Sequence, residues 1–212
     1  EMLEKVFDCV PRLVGQRVKY VTIDKDTRSQ YLKEAIALLA NAGMVESVHH
    51  SSASGLPLSA QINEQRFKLL FLDVGLMQYI CDSQKLSISE EDIMQLNRGA
   101  IAEQYIGQEL RALSPCNDRT RLFFWCREKQ NSMAEVDYLL QHNGKIFPIE
   151  VKAGKEGTLK SLRLFVDEKG INFGIRFSQE KLHFGEKLLS IPLYMTSQLH
   201  RLIDEANLGT GG

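Results

Sequence analysis

The chain has 212 residues, enough for one large domain or two small ones. Hydrophobic residues make up 43% and charged residues 25%, a globular composition that excludes a disordered or collagen-like chain. The 26 basic and 27 acidic residues nearly cancel, which excludes nucleic-acid binding by overall positive charge and leaves only local patches for such contacts.

The sequence contains no apolar run of about 18 residues and no secretory signal, so we expect no membrane partner. The four cysteines, Cys9, Cys81, Cys116 and Cys126, are too widely spaced for a CxxC redox pair or a zinc ribbon. Scattered thiols are typical of a reducing compartment, and we expect a cytoplasmic protein. The chain begins in a helical pattern without a methionine, which leads us to expect a piece of a longer protein.

Apolar residues at helical spacing begin the chain and predict a first helix that ends before Gly15. Residues 18–23 then form a short β-like run. A second, longer helix is expected to begin at a cap formed by Asp26 or Thr27 and to end near Gly43.

Two strand-like runs, residues 44–49 and 66–72, follow the second helix and are separated by a loop rich in Ser, Gly and Pro. This is the element order of a winged helix, a fold that binds nucleic acid and equally protein. Lys25 and Arg28, near the start of the long helix, are candidate contacts to a nucleic-acid backbone. The alternative for residues 1–82 is a small packing domain.

A polar stretch, residues 83–98, divides the chain and is expected to be a linker with a short helix. Residues 99–200 form the second predicted domain and residues 201–212 a tail, and residues 1–82 and 99–200 are expected to have separate cores. The elements predicted for the second domain are a helix over 99–113, strands over 122–127, 134–141 and 145–153, a helix over 158–169, strands over 171–177 and 188–195, and a closing helix. This mixture predicts an α/β fold with a mixed sheet covered by helices.

Asn143 and Gly144 are the expected turn residues of a hairpin, because a type I′ turn needs positive φ at both positions. In this register Asp137 lies opposite Glu150. Side chains alternate along a strand, so both carboxylates are expected on one face, and the other face carries the apolar residues Val136, Tyr138, Ile149 and Val151.

Two carboxylates directly opposite each other repel, and a bound divalent cation removes this cost. Mg²⁺ prefers oxygen ligands, usually one or two carboxylates together with substrate phosphate oxygens. Lys152, opposite Glu135 and on the same face as Glu150, is placed to stabilise phosphate charge or to help deprotonate a water. Glu103, on the preceding helix, is expected to complete the acidic cluster. The alternative is an exposed strand face with a solvated ion pair.

Asp137, twelve intervening residues and then Glu150-x-Lys152 resemble the motif of the PD-(D/E)XK nucleases, with Glu103 in the place of that superfamily's helix glutamate. The resemblance implies that Asp137 and Glu150 bind Mg²⁺, that Glu103 supports the metal, and that Lys152 assists the water or the phosphate. It also implies a restriction-endonuclease-like α/β/α domain with a mixed five-stranded sheet.

Over residues 1–200 the chain resembles the C-terminal region of a bacterial and archaeal ATPase family, whose members carry an AAA-type ATP module, a winged helix and a nuclease-like domain of unknown function. The resemblance is carried by the segments Ser54–Leu58, Phe67–Leu76, Gly99–Glu103, Ala134–Asp137, Pro148–Lys152 and Ile191–Tyr194. The sequence has no GxxxxGK[ST] motif. ATP is therefore expected only in the N-terminal module of the parent protein, which is also an expected partner.

These patterns leave three functions open. The first is an Mg²⁺-dependent phosphodiesterase acting on DNA or RNA, with DNA as the expected partner. The second is a non-catalytic module that binds nucleic acid or protein and couples it to the ATPase domain; a self-association module is a third reading, based on apolar content alone. Lys155, Lys160 and Arg163 flank the hairpin and are either contacts to a phosphate backbone or part of a solvated helix face.

Overall fold

A mixed β-sheet forms the centre of the structure. The computed structural model describes residues 1–82, 90–115, 121–127, 134–154 and 157–209, and gives the side chains of all of these except 82 and 90–97. The elements are α1 (Met2–Leu13), α2 (Tyr20–Ile23), α3 (Ser29–Asn41), β1 (Val45–Ser51), β2 (Ile62–Phe71), α4 (Val74–Asp82), α5 (Glu90–Ala112), β3 (Leu122–Cys126), β4 (Glu135–His142), β5 (Lys145–Val151), α6 (Lys160–Lys169), β6 (Gly174–Ser178), β7 (His183–Gly185), β8 (Leu188–Pro192) and α7 (Leu199–Gly209).

The strands of the described residues join into one eight-stranded sheet in the order β2-β1-β3-β4-β5-β6-β8-β7. The pairs β1–β3, β5–β6 and β6–β8 are parallel and the other neighbours are antiparallel. The predicted α/β class with a mixed sheet is therefore confirmed. The sheet has three strands more than the resemblance implies, because β1 and β2 join it at one edge and β7 at the other.

The two predicted domains, residues 1–82 and 99–200, are called here the first and second halves of the chain. They share this sheet and one core, so the expectation of separate cores is wrong. β1 pairs in parallel with β3, with Val48 opposite Leu122. One continuous cluster of buried side chains contains Val6 and Leu69 from the first half and Ile106 from the second. A two-stranded hairpin alone is marginally stable in water, and pairing β1 with β3 also covers an exposed strand edge.

Two predicted boundaries also need correction. The helix expected to begin at residue 99 begins at Glu90, so residues 90–98 of the predicted linker belong to α5, and residues 83–89 lie outside the described residues. The predicted tail is wrong in its described part, because residues 201–209 continue α7, which buries Leu202 and Ile203 in the core. An amphipathic final helix gains stability from that burial.

The short run at residues 18–23 is helical over Tyr20–Ile23 rather than extended. The long helix α3 begins at Ser29, and neither Asp26 nor Thr27 caps it. Asp24 orders the preceding loop instead, because its carboxylate accepts hydrogen bonds from the Asp26 N–H and the Thr27 hydroxyl. The strand-like composition of residues 18–23 is overridden here by tertiary packing.

Helices cover both faces of the sheet. On β3, Phe124 packs into the large cluster with Ile106 of α5, whereas Trp125 packs into a second cluster with Phe165 of α6. Because neighbouring strand residues point to opposite faces, α5 and α6 lie on opposite sides. None of the helices in the described residues is long and apolar enough to span a membrane.

Helix α5 crosses the sheet so closely at Gly107 that no side chain fits there. A Cβ at this position would lie 2.4 Å from Leu70 Cδ1 and 2.5 Å from the Tyr138 hydroxyl oxygen. Both neighbours are buried and have little freedom to move aside. This close approach also fixes the position of Glu103, which lies one turn earlier on the same helix.

We expect Gly107→Ala to lower the free energy of unfolding by about 1–3 kcal/mol through overpacking. The matched control is Gly99→Ala in the same helix, where a Cβ meets nothing within 4 Å. That change should raise the free energy of unfolding by up to about 1 kcal/mol, since glycine is a poor helix former. Urea unfolding of the three proteins makes the comparison, and equal stabilities for the two variants would contradict the packing described.

Candidate active site

The β4–β5 hairpin has the predicted turn and register. Asn143 and Gly144 have φ values of 46° and 71°, as a type I′ turn requires. His142 pairs with Lys145, and the ladder continues without a shift to Tyr138 and its partner on β5. The predicted register is therefore confirmed from the turn to Tyr138.

A β-bulge lies just beyond this point. The register between β3 and β4 shifts between Phe123 and Trp125, so that Asp137 and Tyr138 together face the single residue Phe124. The ladder between β4 and β5 ends at the same place. The two strands therefore part where the candidate residues begin.

The bulge corrects the predicted faces. Val136 and Tyr138 were expected on one face, but Val136 packs into the second cluster and Tyr138 into the large one. Asp137 is not a ladder partner of Glu150. Its Oδ2 accepts a hydrogen bond from the Val151 N–H at 2.7 Å. The Asp137 side chain thus takes the place of the β4 backbone carbonyl that would accept this bond in a regular ladder.

Hydrogen bonds to both neighbouring strands hold Glu103 in place. The Tyr138 hydroxyl donates to the Glu103 carbonyl oxygen at 2.9 Å, which ties α5 to β4. The Gln104 side chain accepts from the Phe71 N–H at 2.9 Å and donates to the Phe71 carbonyl at 2.8 Å, which ties α5 to β2. Because these groups are buried, losing either bond would leave unsatisfied polar atoms.

Lys68 of β2 is the centre of the acidic cluster, and it was not among the predicted site residues. Its side chain is 1% exposed, and Nζ lies 2.8 Å from Glu103 Oε1, 2.8 Å from Glu135 Oε1 and 3.9 Å from Asp137 Oδ1. The ring centroid of Phe124 lies 5.3 Å from the same nitrogen. The sequence carried one signal, a single charge inside the apolar run Phe67–Leu72, because a buried lysine needs acidic partners.

Glu150 and Lys152 form a second ion pair beside this cluster. Lys152 Nζ lies 2.6 Å from Glu150 Oε1. The Glu150 side chain is 9% exposed and Lys152 is 28% exposed, so the lysine reaches solvent. Glu150 Oε2 is buried and has no hydrogen-bond partner among the described residues.

The first half of the chain covers the cluster from one side. Arg17 Nε lies 3.3 Å from Glu135 Oε2. Gly15, with φ of 78°, passes so close to Glu103 that a Cβ there would lie 3.1 Å from Oε2. Together with Lys68, these residues make the site a joint product of both halves.

Burial raises the pKa of each predicted carboxyl group. The pKa of Glu103 and that of Glu150 rise to about 7, and the Asp137 charge contributes to both increases. The pKa of Asp137 also rises through burial, although Lys68 and the Val151 N–H oppose the increase. The folded protein thus disfavours full ionisation of all three groups.

The pKa values of the two lysines are also raised, but through attraction to carboxylates and against the effect of burial. Burial acts to lower the pKa of Lys68, but Glu103, Asp137 and Glu135 outweigh it and raise the pKa. Burial also opposes the charge of Lys152, and contact with Glu150 raises its pKa nonetheless. Both side chains are therefore ammonium ions at neutral pH.

The residues fit a divalent cation held by two carboxylates. Oxygen ligands suit Mg²⁺, and the buried Glu150 Oε2 without a hydrogen-bond partner is an acceptor that such a cation would satisfy. Asp137 is near enough for its charge to raise the pKa of Glu150. Glu103, the third predicted ligand, is instead bound to Lys68. Within the described part of the chain, no group of three or more His, Cys, Asp or Glu side chains is arranged to hold a metal.

The predicted nucleic-acid contacts lie on two separate elements. Lys25 and Arg28 are exposed in the loop before α3. Lys160 and Arg163 are exposed on α6, which packs against β4 and β5, the strands that carry the candidate site. Lys155 lies outside the described residues.

The charge and the hydrogen bond of Asp137 can be separated by two substitutions. Because the fold raises the pKa of Asp137, its ionised form destabilises the protein, and Asp137→Asn should be at least as stable as the native chain at pH 7. Asp137→Ala leaves the Val151 N–H without an acceptor and should lose about 1–3 kcal/mol. Urea unfolding measures both.

The same pair of variants has a pH signature. The advantage of Asp137→Asn should fade as the pH falls below the ordinary pKa of an aspartate, where the carboxyl is protonated in both folded and unfolded chains. A clear loss of stability in Asp137→Asn at pH 7 would contradict this account and show that attraction to Lys68 dominates.

Two protein-family models match the chain, one over each half. A family model described as Domain of unknown function (DUF4143) matches residues 98–194, which contain Asp137, Glu150 and Lys152. A second, described as Domain of unknown function (DUF8612), matches residues 1–112, more than half of the chain and including Lys68. No curated protein and no solved structure matches the chain. The chain therefore belongs to the family described as Domain of unknown function (DUF8612).

Proposed function

We propose that the chain is the nucleic-acid-processing, C-terminal region of an AAA-type ATPase, and that its site is an Mg²⁺-dependent phosphodiesterase site for DNA. In this proposal α1–β2 serve as a winged helix and the remaining elements as a restriction-endonuclease-like domain. The observation that carries it is the meeting of Asp137, Glu150 and Lys152 where β4 and β5 part, with one buried Glu150 oxygen left without a partner.

In the proposed reaction, Asp137 and Glu150 hold the cation. When bound there, Mg²⁺ would stabilise negative charge on a phosphate oxygen and lower the pKa of a water. The Val151 N–H orients Asp137 through its hydrogen bond to Oδ2. Lys152, paired with Glu150 and partly exposed, offers an ammonium to a phosphate or to the attacking water.

Two exposed basic residues of α6 are the proposed contacts to DNA nearest the hairpin. Lys160 and Arg163 are exposed on a helix that packs directly on the hairpin, and we propose that they contact the phosphate backbone together with Lys155. Lys25 and Arg28 are proposed as contacts of the winged helix. With a net charge of −1, binding depends on these local groups.

A second candidate function is a non-catalytic DNA- or protein-binding module coupled to the ATPase domain. The observation in its favour is the Lys68 ammonium, which lies within 2.8 Å of two carboxylates and so neutralises much of the cluster without a metal ion. A nuclease-like fold with such an internal cation is able to bind DNA without cleaving it.

Cleavage assays separate the two candidates. With Mg²⁺ or Mn²⁺ and labelled DNA duplexes, Asp137→Ala, Glu150→Gln and Lys152→Ala should each lower the cleavage rate by about 10²–10⁴-fold, because each removes a ligand or a charge. Lys145→Ala, at the turn end of β5, is the matched lysine control and should cleave at the native rate.

DNA binding without cleavage by the native chain, in either metal, supports the second candidate. Cleavage that persists unchanged in Asp137→Ala would rule out the proposed site. The binding itself is tested by fluorescence anisotropy at several salt concentrations. The double variant Lys160→Ala/Arg163→Ala should reduce the slope of log K against log salt by about 0.9 for each lost phosphate contact.

A further inference from the structure

We propose that Lys68 is an internal counter-ion that competes with a divalent cation for the carboxylate cluster, so that the first half of the chain sets the metal affinity of the site in the second half. The inference rests on the proposed metal site. It concerns a residue outside the nuclease-like motif, and its test does not depend on cleavage.

The contacts of Lys68 are those expected of a resident cation. Nζ lies at hydrogen-bond distance from Glu103 and Glu135, and 3.9 Å from Asp137 Oδ1. These groups converge on one point from α5 and β4, and the lysine enters from β2. Asp137, a proposed metal ligand, therefore lies between the ammonium on one side and the Val151 N–H on the other.

The charge balance of the site depends on this lysine. The described cluster holds four carboxylates, Glu103, Glu135, Asp137 and Glu150, and three cations, Lys68, Lys152 and Arg17. With Lys68 in place, the cluster has an excess of one negative charge when all groups are ionised. Without it the excess is two, which equals the charge of one Mg²⁺ ion.

A positive charge this close also weakens metal binding by direct repulsion. An ammonium and a divalent ion that share the carboxylate of Asp137 are only a few ångströms apart, in a region where water screens poorly. Glu103 Oε1 accepts a hydrogen bond from Lys68 Nζ, and Glu135 Oε1 forms an ion pair with it. Neither oxygen is available as a metal ligand while the lysine holds this position. Among the four carboxylates of the cluster, Glu150 is the one with a buried oxygen that has no hydrogen-bond partner in the described part of the chain.

The first test is a metal titration of the native chain and of Lys68→Met, whose unbranched side chain is one atom shorter and carries no charge. We expect the Kd for Mn²⁺ and for Mg²⁺, measured by isothermal titration calorimetry, to fall by about tenfold or more in the variant. Its melting temperature should rise on addition of either metal by more than that of the native chain. Lys33→Met, at an exposed lysine paired with Glu64, removes the same charge elsewhere and should leave the Kd unchanged.

A second variant keeps the proposal testable where Lys68→Met alone does not fold. Lys68→Met/Glu135→Gln removes one charge of each sign and retains Asp137, Glu150 and Glu103. It should fold, and it should bind Mn²⁺ more tightly than the native chain but less tightly than Lys68→Met, because the ammonium no longer repels the ion although the net charge of the cluster is that of the native protein. Glu135→Gln alone keeps the lysine, removes negative charge, and should bind no more tightly than the native chain.

The outcomes distinguish this inference from the proposed function. A folded Lys68 variant with native or weaker metal affinity overturns the inference, even where the native chain cleaves DNA. Tighter metal binding in the Lys68 variants without cleavage by any protein supports the counter-ion and rejects the phosphodiesterase. Tight metal binding by the native chain, unchanged in both variants, also overturns it.

Discussion

The buried ammonium of Lys68 is the interaction on which the arrangement of the site depends. A lysine that is 1% exposed is tolerated only with acidic partners, because an unpaired buried charge costs several kcal/mol. Its partners come from α5 and β4, so satisfying one side chain of β2 fixes the relative positions of three elements. The double hydrogen bond of Gln104 to Phe71 reinforces the same junction a few residues away. The ion pair with Lys68 and the hydrogen bonds of the neighbouring Gln104 thus act together to fix the position of Glu103.

The β-bulge at Asp137 and Tyr138 turns an ordinary hairpin into a candidate site. Up to Tyr138, backbone bonds join β4 and β5; beyond it, the Asp137 side chain takes over by accepting the Val151 N–H. The bulge also turns Tyr138 towards α5, where its hydroxyl meets the Glu103 carbonyl. Bulges are common near active sites because they redirect side chains in this way.

The sequence allowed some of these features to be predicted and others not, for physical reasons. The hairpin register followed from Asn143 and Gly144, because a two-residue turn depends on local backbone conformation. The pairing of β1 with β3 joins residues more than 70 positions apart, and no local pattern distinguishes a free wing from an edge of a larger sheet. The position of Lys68 within an apolar run indicates that it needs acidic partners, but the run does not identify them. The bulge arises from the pairing of β4 with β3, so the hairpin alone could not indicate it.

Because both halves contribute to the site, the chemical properties of the motif residues depend on residues outside the motif. Asp137, Glu150 and Lys152 all lie in the region matched by one family model, whereas Lys68 and Arg17 lie in the region matched by the other. A fragment without the first half would keep the motif but lose two of the three cations that balance its carboxylates, and would expose the edge of β3 that now pairs with β1. The ionisation of Glu103, Asp137 and Glu150 would then differ from that in the whole chain, since charges a few ångströms away act on each of them. The chemistry of this site is therefore a property of the joined halves, and the residues that decide between cleavage and binding include those outside the recognisable motif.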